Sequence, residues 1–145
     1  DYHSRNLMVV NDDSPGVIDF QDAVIGPITY DLVSLLRDCY IAWPSQQVEQ
    51  WMSQYYQRLL QAKLISCNPV RFKRWFDLMG LQRHLKVLGI FARINYRDGK
   101  PHYLADTPRF VGYVRSVARR YDELAPLARL LDELEGVAHR VGYTF

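Results

Sequence analysis

A single switch of hydrophobic period, at Gly26-Pro27, constrains this chain more than any other feature. Before it lie two short β-prone runs, Leu7-Met8-Val9-Val10 and Val17-Ile18-Asp19-Phe20, separated by Asn11-Asp12-Asp13-Ser14-Pro15-Gly16. Two such runs around a polar, Pro/Gly-containing loop predict a β-hairpin. A lone hairpin is marginal in water, so it needs a body to pack on. After the switch, Leu32, Leu35, Leu36, Cys39 and Tyr40 recur at i, i+3, i+4, i+7 and i+8, which is an apolar stripe along one helix face.

Proline and cap residues punctuate the helical part of the chain. Pro44 ends the first helix, and Ser45 is a fair N-cap for a second that runs to about Ala62. Asn68-Pro69 places a cap before a proline at the first helical position, where a missing N–H costs nothing. That third helix is expected to reach about Ile94. Its second half, from Leu81, is apolar on most faces and reads as the central buried helix. A loop over Tyr96 to Asp106 leads to Thr107-Pro108, which opens a helix to about Tyr121; Asp122 and Pro126 open the last, ending near Arg140. The fold class is therefore mainly α: a hairpin segment over residues 1–27 and a helical body of about five helices over 28–145, one domain together. A chain of 145 residues, 48% hydrophobic, has material for one core and is too apolar to be disordered.

Charge and cysteine usage exclude several classes. A net charge of +2 is too small to argue for nucleic acid. The longest strongly apolar run, Val87 to Ala92, is far short of a membrane span. No basic-then-apolar leader is visible, so a cytoplasmic location is expected. Cys39 and Cys67 fall in separate predicted helices without metal-ligand spacing and read as reduced thiols. His84, His102 and His139 form no pairing that suggests a metal site.

The densest polar chemistry is Asp1-Tyr2-His3-Ser4-Arg5-Asn6, followed thirteen residues after the Asn by Asp19. A hairpin brings the start of its first strand beside the end of its second, so three oxygen-bearing side chains converge. Asn and Asp oxygens suit Mg²⁺, which keeps waters and binds through one or two carboxylates plus phosphates. An Asp left over can accept a proton from a hydroxyl nucleophile. That division of labour is what phosphoryl transfer needs.

The D-x4-N element and the Ile18-Asp19-Phe20 strand resemble the catalytic loop and metal segment of protein-kinase-like enzymes. His3 and Asn6 resemble the H-x-D-x-H-x-x-N loop of the aminoglycoside phosphotransferase and choline kinase group. The run Gly16-Val17-Ile18-Asp19-Phe20-Gln21-Asp22-Ala23, then Gly26-Pro27 and Tyr30-Asp31-Leu32, is similar to that group's metal Asp followed by Gly-Pro and Asp-Leu. Phe20-Gln21-Asp22-Ala23 and the stretch from Leu81 to Arg93 look most like bacterial anomeric kinases of N-acetylmuramate and N-acetylglucosamine. The resemblance implies the C-terminal lobe of a protein-kinase-like fold, with Asp1 as base on the sugar hydroxyl. It implies Asn6 and Asp19 as Mg²⁺ ligands, Asp31 as a brace for the catalytic loop, and ATP as co-substrate. His3 reads as a hydrogen-bonding organiser of that loop. No G-x-G-x-x-G and no Val-Ala-Ile-Lys-like strand occurs in the sequence, so an ATP-gripping N-terminal lobe is expected to precede Asp1, and the chain alone is expected to be inactive.

Pro69 to Lys100 carries eight Lys/Arg against Asp77 and Asp98, a local charge of +6. Such a helix repels a polycationic aminoglycoside and attracts a sugar bearing a carboxylate. Arg83 offers a bidentate fork for that group, with His84 beside it as a second candidate contact. The basic residues are spread around the helix with no aromatic platform interleaved, which argues against nucleic acid. Trp43, Trp51, Trp75, Tyr55, Tyr56 and Phe76 fall at helical spacings that mean core more often than a sugar-stacking wall. Two alternatives stay open: a relative acting on an aminoglycoside, choline or homoserine, and a non-catalytic helical binding module.

Overall fold

In the computed structural model the described residues are 2–11, 15–21 and 23–136. They divide into two compact units, one ending at Arg83 and one beginning at His84. The boundary falls inside a single helix, so the hairpin segment shares the first unit with the first helices.

In the first unit, β1 (Leu7–Met8) pairs antiparallel with β2 (Gly16–Val17), Leu7 opposite Val17 and Met8 opposite Gly16. The hairpin is present but shorter than the apolar runs predict. Its pairing is prolonged by one backbone bond, Ile18 N–H to the Asn6 carbonyl at 3.0 Å. Asp19 then takes a left-handed backbone (φ 58°), which a strand cannot continue through.

Helix α1 (Tyr30–Leu36) buries Leu32, Val33 and Leu36. It stops four residues before the predicted stripe does. The reason is Asp38, whose carboxylate accepts the Tyr40 N–H at 2.9 Å and so competes with a further helical turn. Cys39 and Cys67 are not joined in a disulfide, and, contrary to expectation, neither lies in a helix. Helix α2 (Ser45–Gln61) begins with Pro44 at the N-cap, so Ser45 is its first residue rather than its cap. It ends in a Schellman motif: Lys63 N–H reaches the Leu60 carbonyl and Leu64 N–H the Leu59 carbonyl, both at 3.0 Å, with Lys63 at φ 57° where glycine is usual.

Helix α3 (Pro69–Asp98) starts as read, the Asn68 side-chain oxygen accepting the Arg71 N–H at 2.8 Å. It runs one turn past Ile94, because nothing breaks it before Gly99, which takes φ 64°. The first core closes where Leu32, Val33 and Leu36 meet Met52, Tyr56 and Leu59 of α2 and Phe72 and Phe76 of α3. Trp51, Tyr55 and Trp75 pack partly buried against it, and Trp43 stacks edge-on against Trp51 at 5.1 Å. The aromatics are thus core and core rim.

In the second unit the remainder of α3 buries a single side, His84, Val87 and Phe91, while Leu85 is 41% exposed. The expectation of a helix buried on most faces is corrected: Gln82, Lys86 and Arg93, at helical spacings of four and seven, keep one side polar and exposed. A 3-10 helix (Pro101–Asp106) occupies the predicted loop, followed by α4 (Thr107–Ala118), which stops a turn before Tyr121. A short 3-10 turn (Asp122–Leu124) precedes α5 (Ala125–Leu134); the predicted end near Arg140 lies outside the described residues. Asp132 of α5, almost fully buried, takes Arg115 at 2.9 Å and Arg119 at 2.9 Å, so α4 and α5 are joined by a charge cluster as well as by Phe110, Val114 and Leu131. Among the described residues, no helix is long and apolar enough to cross a membrane.

Candidate active site

The polar segment at the start of the chain folds as a short 3-10 turn, Ser4–Asn6, that feeds β1. Asn6 N–H bonds the His3 carbonyl at 2.9 Å, and Leu7 N–H bonds that of Ser4. This turn carries the Asn6 side chain inward, where it is 7% exposed, and every residue from 2 to 6 has a tertiary partner. Tyr2 N–H donates to the Asp31 carboxylate at 3.2 Å, and Ser4 N–H to the Asp38 carboxylate at 2.8 Å. The His3 ring meets the Tyr40 ring edge-on at 5.7 Å, and the Arg5 guanidinium lies over that ring at 3.6 Å. Asn6 closes the series on Asp19.

Asn6 and Asp19, thirteen residues apart, are brought together by the hairpin. The Asn6 amide nitrogen stands 3.4 Å from Asp19 Oδ2, while Gln21 donates to Oδ1 at 3.2 Å. The left-handed backbone at Asp19, which Asp tolerates better than most residues, turns its carboxylate out of strand alternation. A bond of 3.4 Å is long, so the pair is held loosely. The donor set suits Mg²⁺: one carboxylate and one amide oxygen are hard ligands, and two protein ligands are what that ion takes when waters and phosphates fill the remainder. Among the described residues, no group of three or more His, Cys, Asp or Glu side chains gathers around a metal position. Asp1 lies outside the described residues, as do Asp12, Asp13, Ser14 and Asp22.

The other predicted residues separate. Asp31 sits in the first turn of α1, where its charge also suits the helix N-terminus. His3 is partly buried. Burial pulls its imidazole below the usual histidine range; the Asp38 carboxylate opposes that, and the Arg83 cation adds to it. Arg83 is 6% exposed, with its guanidinium 5.9 Å over the Tyr30 ring, so its charge is felt at the loop. His84 is fully buried in the second unit, stacked on Tyr113 at 5.0 Å and tilted against Phe110 at 5.5 Å.

Sequence reasoning passed over Asp38, Tyr40 and Gln21. The signal of Asp38 was hidden in the sequence, because the apolar stripe runs past it to Tyr40 and only the observed end of α1 at Leu36 reveals it. Asp38 falls just past the C-terminus of a helix, where the helix dipole disfavours a negative charge. A carboxylate there that is also 2% exposed must find donors elsewhere. Tyr40 looked like one more apolar position of a stripe, and Gln21 carries no pattern of its own.

Comparison with known proteins gives a consistent picture. Residues 1–64 match the profile of a family described as "Phosphotransferase enzyme family". An N-acetylmuramate/N-acetylglucosamine kinase of Pseudomonas putida is 50% identical over 139 residues, 95% of this chain and 41% of that protein. A protein of the same name from Neisseria meningitidis serogroup B is 52% identical, over 100% of this chain and 44% of its own length. One from Pseudomonas aeruginosa is 47% identical, over 92% and 40%. The chain therefore spans less than half the length of these curated relatives.

Proposed function

We propose that this chain, which belongs to the phosphotransferase enzyme family, is the C-terminal lobe of an ATP-dependent kinase. Its acceptor is the anomeric hydroxyl of an amino sugar, N-acetylmuramate or N-acetylglucosamine. The observation that carries the reading is the convergence of Asn6 and Asp19 at 3.4 Å on a loop whose every residue from 2 to 6 is held by another part of the fold. Little covalent chemistry by the protein is needed for phosphoryl transfer; positioning and charge do most of the work. Asp1 orients the sugar hydroxyl and accepts its proton as the oxygen bonds to the γ-phosphorus and ADP leaves. Asn6 and Asp19 hold Mg²⁺, which neutralises the phosphate charge when bound. Gln21 and the left-handed turn at Asp19 keep that carboxylate aimed at Asn6. The lobe that grips ATP lies outside this sequence, so the chain alone is inactive. We place the intact enzyme in the cytoplasm, where ATP and a reduced Cys39 and Cys67 are both expected.

The choice of amino sugar over aminoglycoside is supported by the names of the relatives and by Arg83, a cation whose charge reaches the loop. The test uses the full-length protein with ATP–Mg²⁺ and a panel of N-acetylmuramate, N-acetylglucosamine, kanamycin, choline and homoserine. ADP release with the first two, and an acid-labile sugar phosphate, is the expected result. Preference for a cationic acceptor defeats the substrate assignment. Asp19→Ala is expected to lower kcat by about 10³-fold or more, since it removes electrostatic stabilisation of the transferring group. Undiminished turnover in that variant would refute the metal role, and a protein that turns over none of the panel would favour a binding module.

A further inference from the structure

We infer that Asp38 is a positioning residue for the phosphoryl-transfer loop, acting as a latch from the turn after α1; this rests on the kinase reading above. Three consecutive loop residues are gripped from that one turn, through Asp38 and Tyr40. Ser4 N–H donates to one oxygen of Asp38 at 2.8 Å, and Tyr40 N–H donates to the other at 2.9 Å. The same Tyr40 then presents its ring to His3 at 5.7 Å and to the Arg5 guanidinium at 3.6 Å. One buried carboxylate thus fixes both the loop and the aromatic ring that packs on the loop's flanks. Asp38 is 2% exposed and 34 residues from Ser4, so the contact is neither a local turn nor a surface accident. Charge-assisted bonds from a carboxylate to backbone N–H groups are about twice as strong as neutral ones. Compare Asp31, whose bond to Tyr2 N–H is exposed and longer at 3.2 Å. Asn6 lies two residues beyond Ser4, within one 3-10 turn, so freeing Ser4 lets the metal-side amide drift from Asp19. Misplacement by about 1 Å can cost roughly 10²-fold in rate.

The latch can be opened from either side in the full-length protein. Asp38→Asn keeps the shape and one acceptor oxygen but loses the charge. Ser4→Pro removes the donor and leaves Asp38 in place. Proline is sterically acceptable there, because Ser4 is the first residue of its turn and His3 is extended (φ −119°, ψ 169°), as a residue before proline must be. With ATP and N-acetylglucosamine, both variants are expected to lose about 10- to 100-fold in kcat, with each KM within about threefold of wild type. The Ser4 amide should be protected from hydrogen exchange in wild type and exposed in Asp38→Asn, with Val33 inside α1 unchanged. An unaltered kcat in Ser4→Pro overturns the inference. So does a wild-type Ser4 amide that exchanges freely, which is read without any activity and survives an Asp38→Asn variant that fails to fold. A wild type that phosphorylates no amino sugar refutes the substrate reading instead, and the exchange measurement still decides the latch.

Discussion

Gly80 of α3 offers the sharpest test of how the first unit is held. An alanine in a helix interior is ordinarily worth about 1 kcal/mol over glycine. Here the added Cβ would fall 2.9 Å from Arg37 Cδ and 3.1 Å from Cζ, and nearer still to Nη1. Arg37 cannot simply swing aside. Its Nη2 is 2.5 Å from Asp77 Oδ1, its guanidinium lies 4.6 Å over the Phe76 ring, and Asp77 is fully buried. Removing one partner of a buried ion pair costs about 3–5 kcal/mol. In this case Arg37 is displaced rather than deleted, and Lys73 stays 3.8 Å from the second Asp77 oxygen, so about 2–3 kcal/mol is the expected penalty. Subtracting the helical gain leaves Gly80→Ala destabilising by about 1–2 kcal/mol, a fall of about 3–6 °C in melting temperature. Thermal and urea melts followed by tryptophan fluorescence, with Trp75 on the same helix, read this directly. The decisive comparison repeats Gly80→Ala where Arg37 and Asp77 are both leucine. There the clash with a pinned guanidinium is gone, and the substitution should stabilise. A rise in stability in the wild-type background, or an equal loss in both, refutes the reasoning.

Two further outcomes rest on the same geometry. Burial lowers the His3 pKa, so below about pH 6.5 the unfolded chain takes up a proton that the folded chain resists. Stability is therefore full above that value and lost as pH falls toward the lowered folded pKa; His3→Gln should flatten the decline in melting temperature between about pH 7.5 and 5.5, and an unchanged slope would assign it elsewhere. Asn68→Ala removes the cap on the Arg71 N–H and should cost about 1 kcal/mol in a urea melt, and an unchanged midpoint would refute the capping role.

The helices were readable because each announces itself with a proline or a cap, and the physics of those signals is local. Asn68-Pro69 and Thr107-Pro108 set their helix starts to within a residue. Ends were read less well. Helix α1 stops early because a local side chain, that of Asp38, claims the Tyr40 N–H that a further turn would have used. Helix α2 ends at Gln61, and its left-handed cap is a lysine rather than the glycine that sequence patterns reward. Among the described residues the ladder holds two pairs, Leu7 with Val17 and Met8 with Gly16, plus the one bond from Ile18 to Asn6, and period alone cannot say where pairing stops.

At the site the division is different in kind. Asn6 and Asp19 could be paired from the sequence because both are side-chain oxygens and a hairpin joins them; side chains have names that a pattern can use. The groups that hold the loop are mostly backbone N–H, those of Tyr2, Ser4 and Tyr40, and these look the same at every non-proline residue. Only their acceptors leave a trace, as acids in places where an acid needs a reason. Asp31 has a reason of its own, since the first turn of a helix welcomes it, and so its grip on Tyr2 is masked. Asp38 has none: it stands past a helix C-terminus, and it is buried. An acid that violates both the helix dipole and the burial preference is stable only if the fold supplies donors. In other chains with a D-x4-N loop, a buried acid standing just past the observed end of the first helix should therefore mark the latch, once the structure shows where that helix stops.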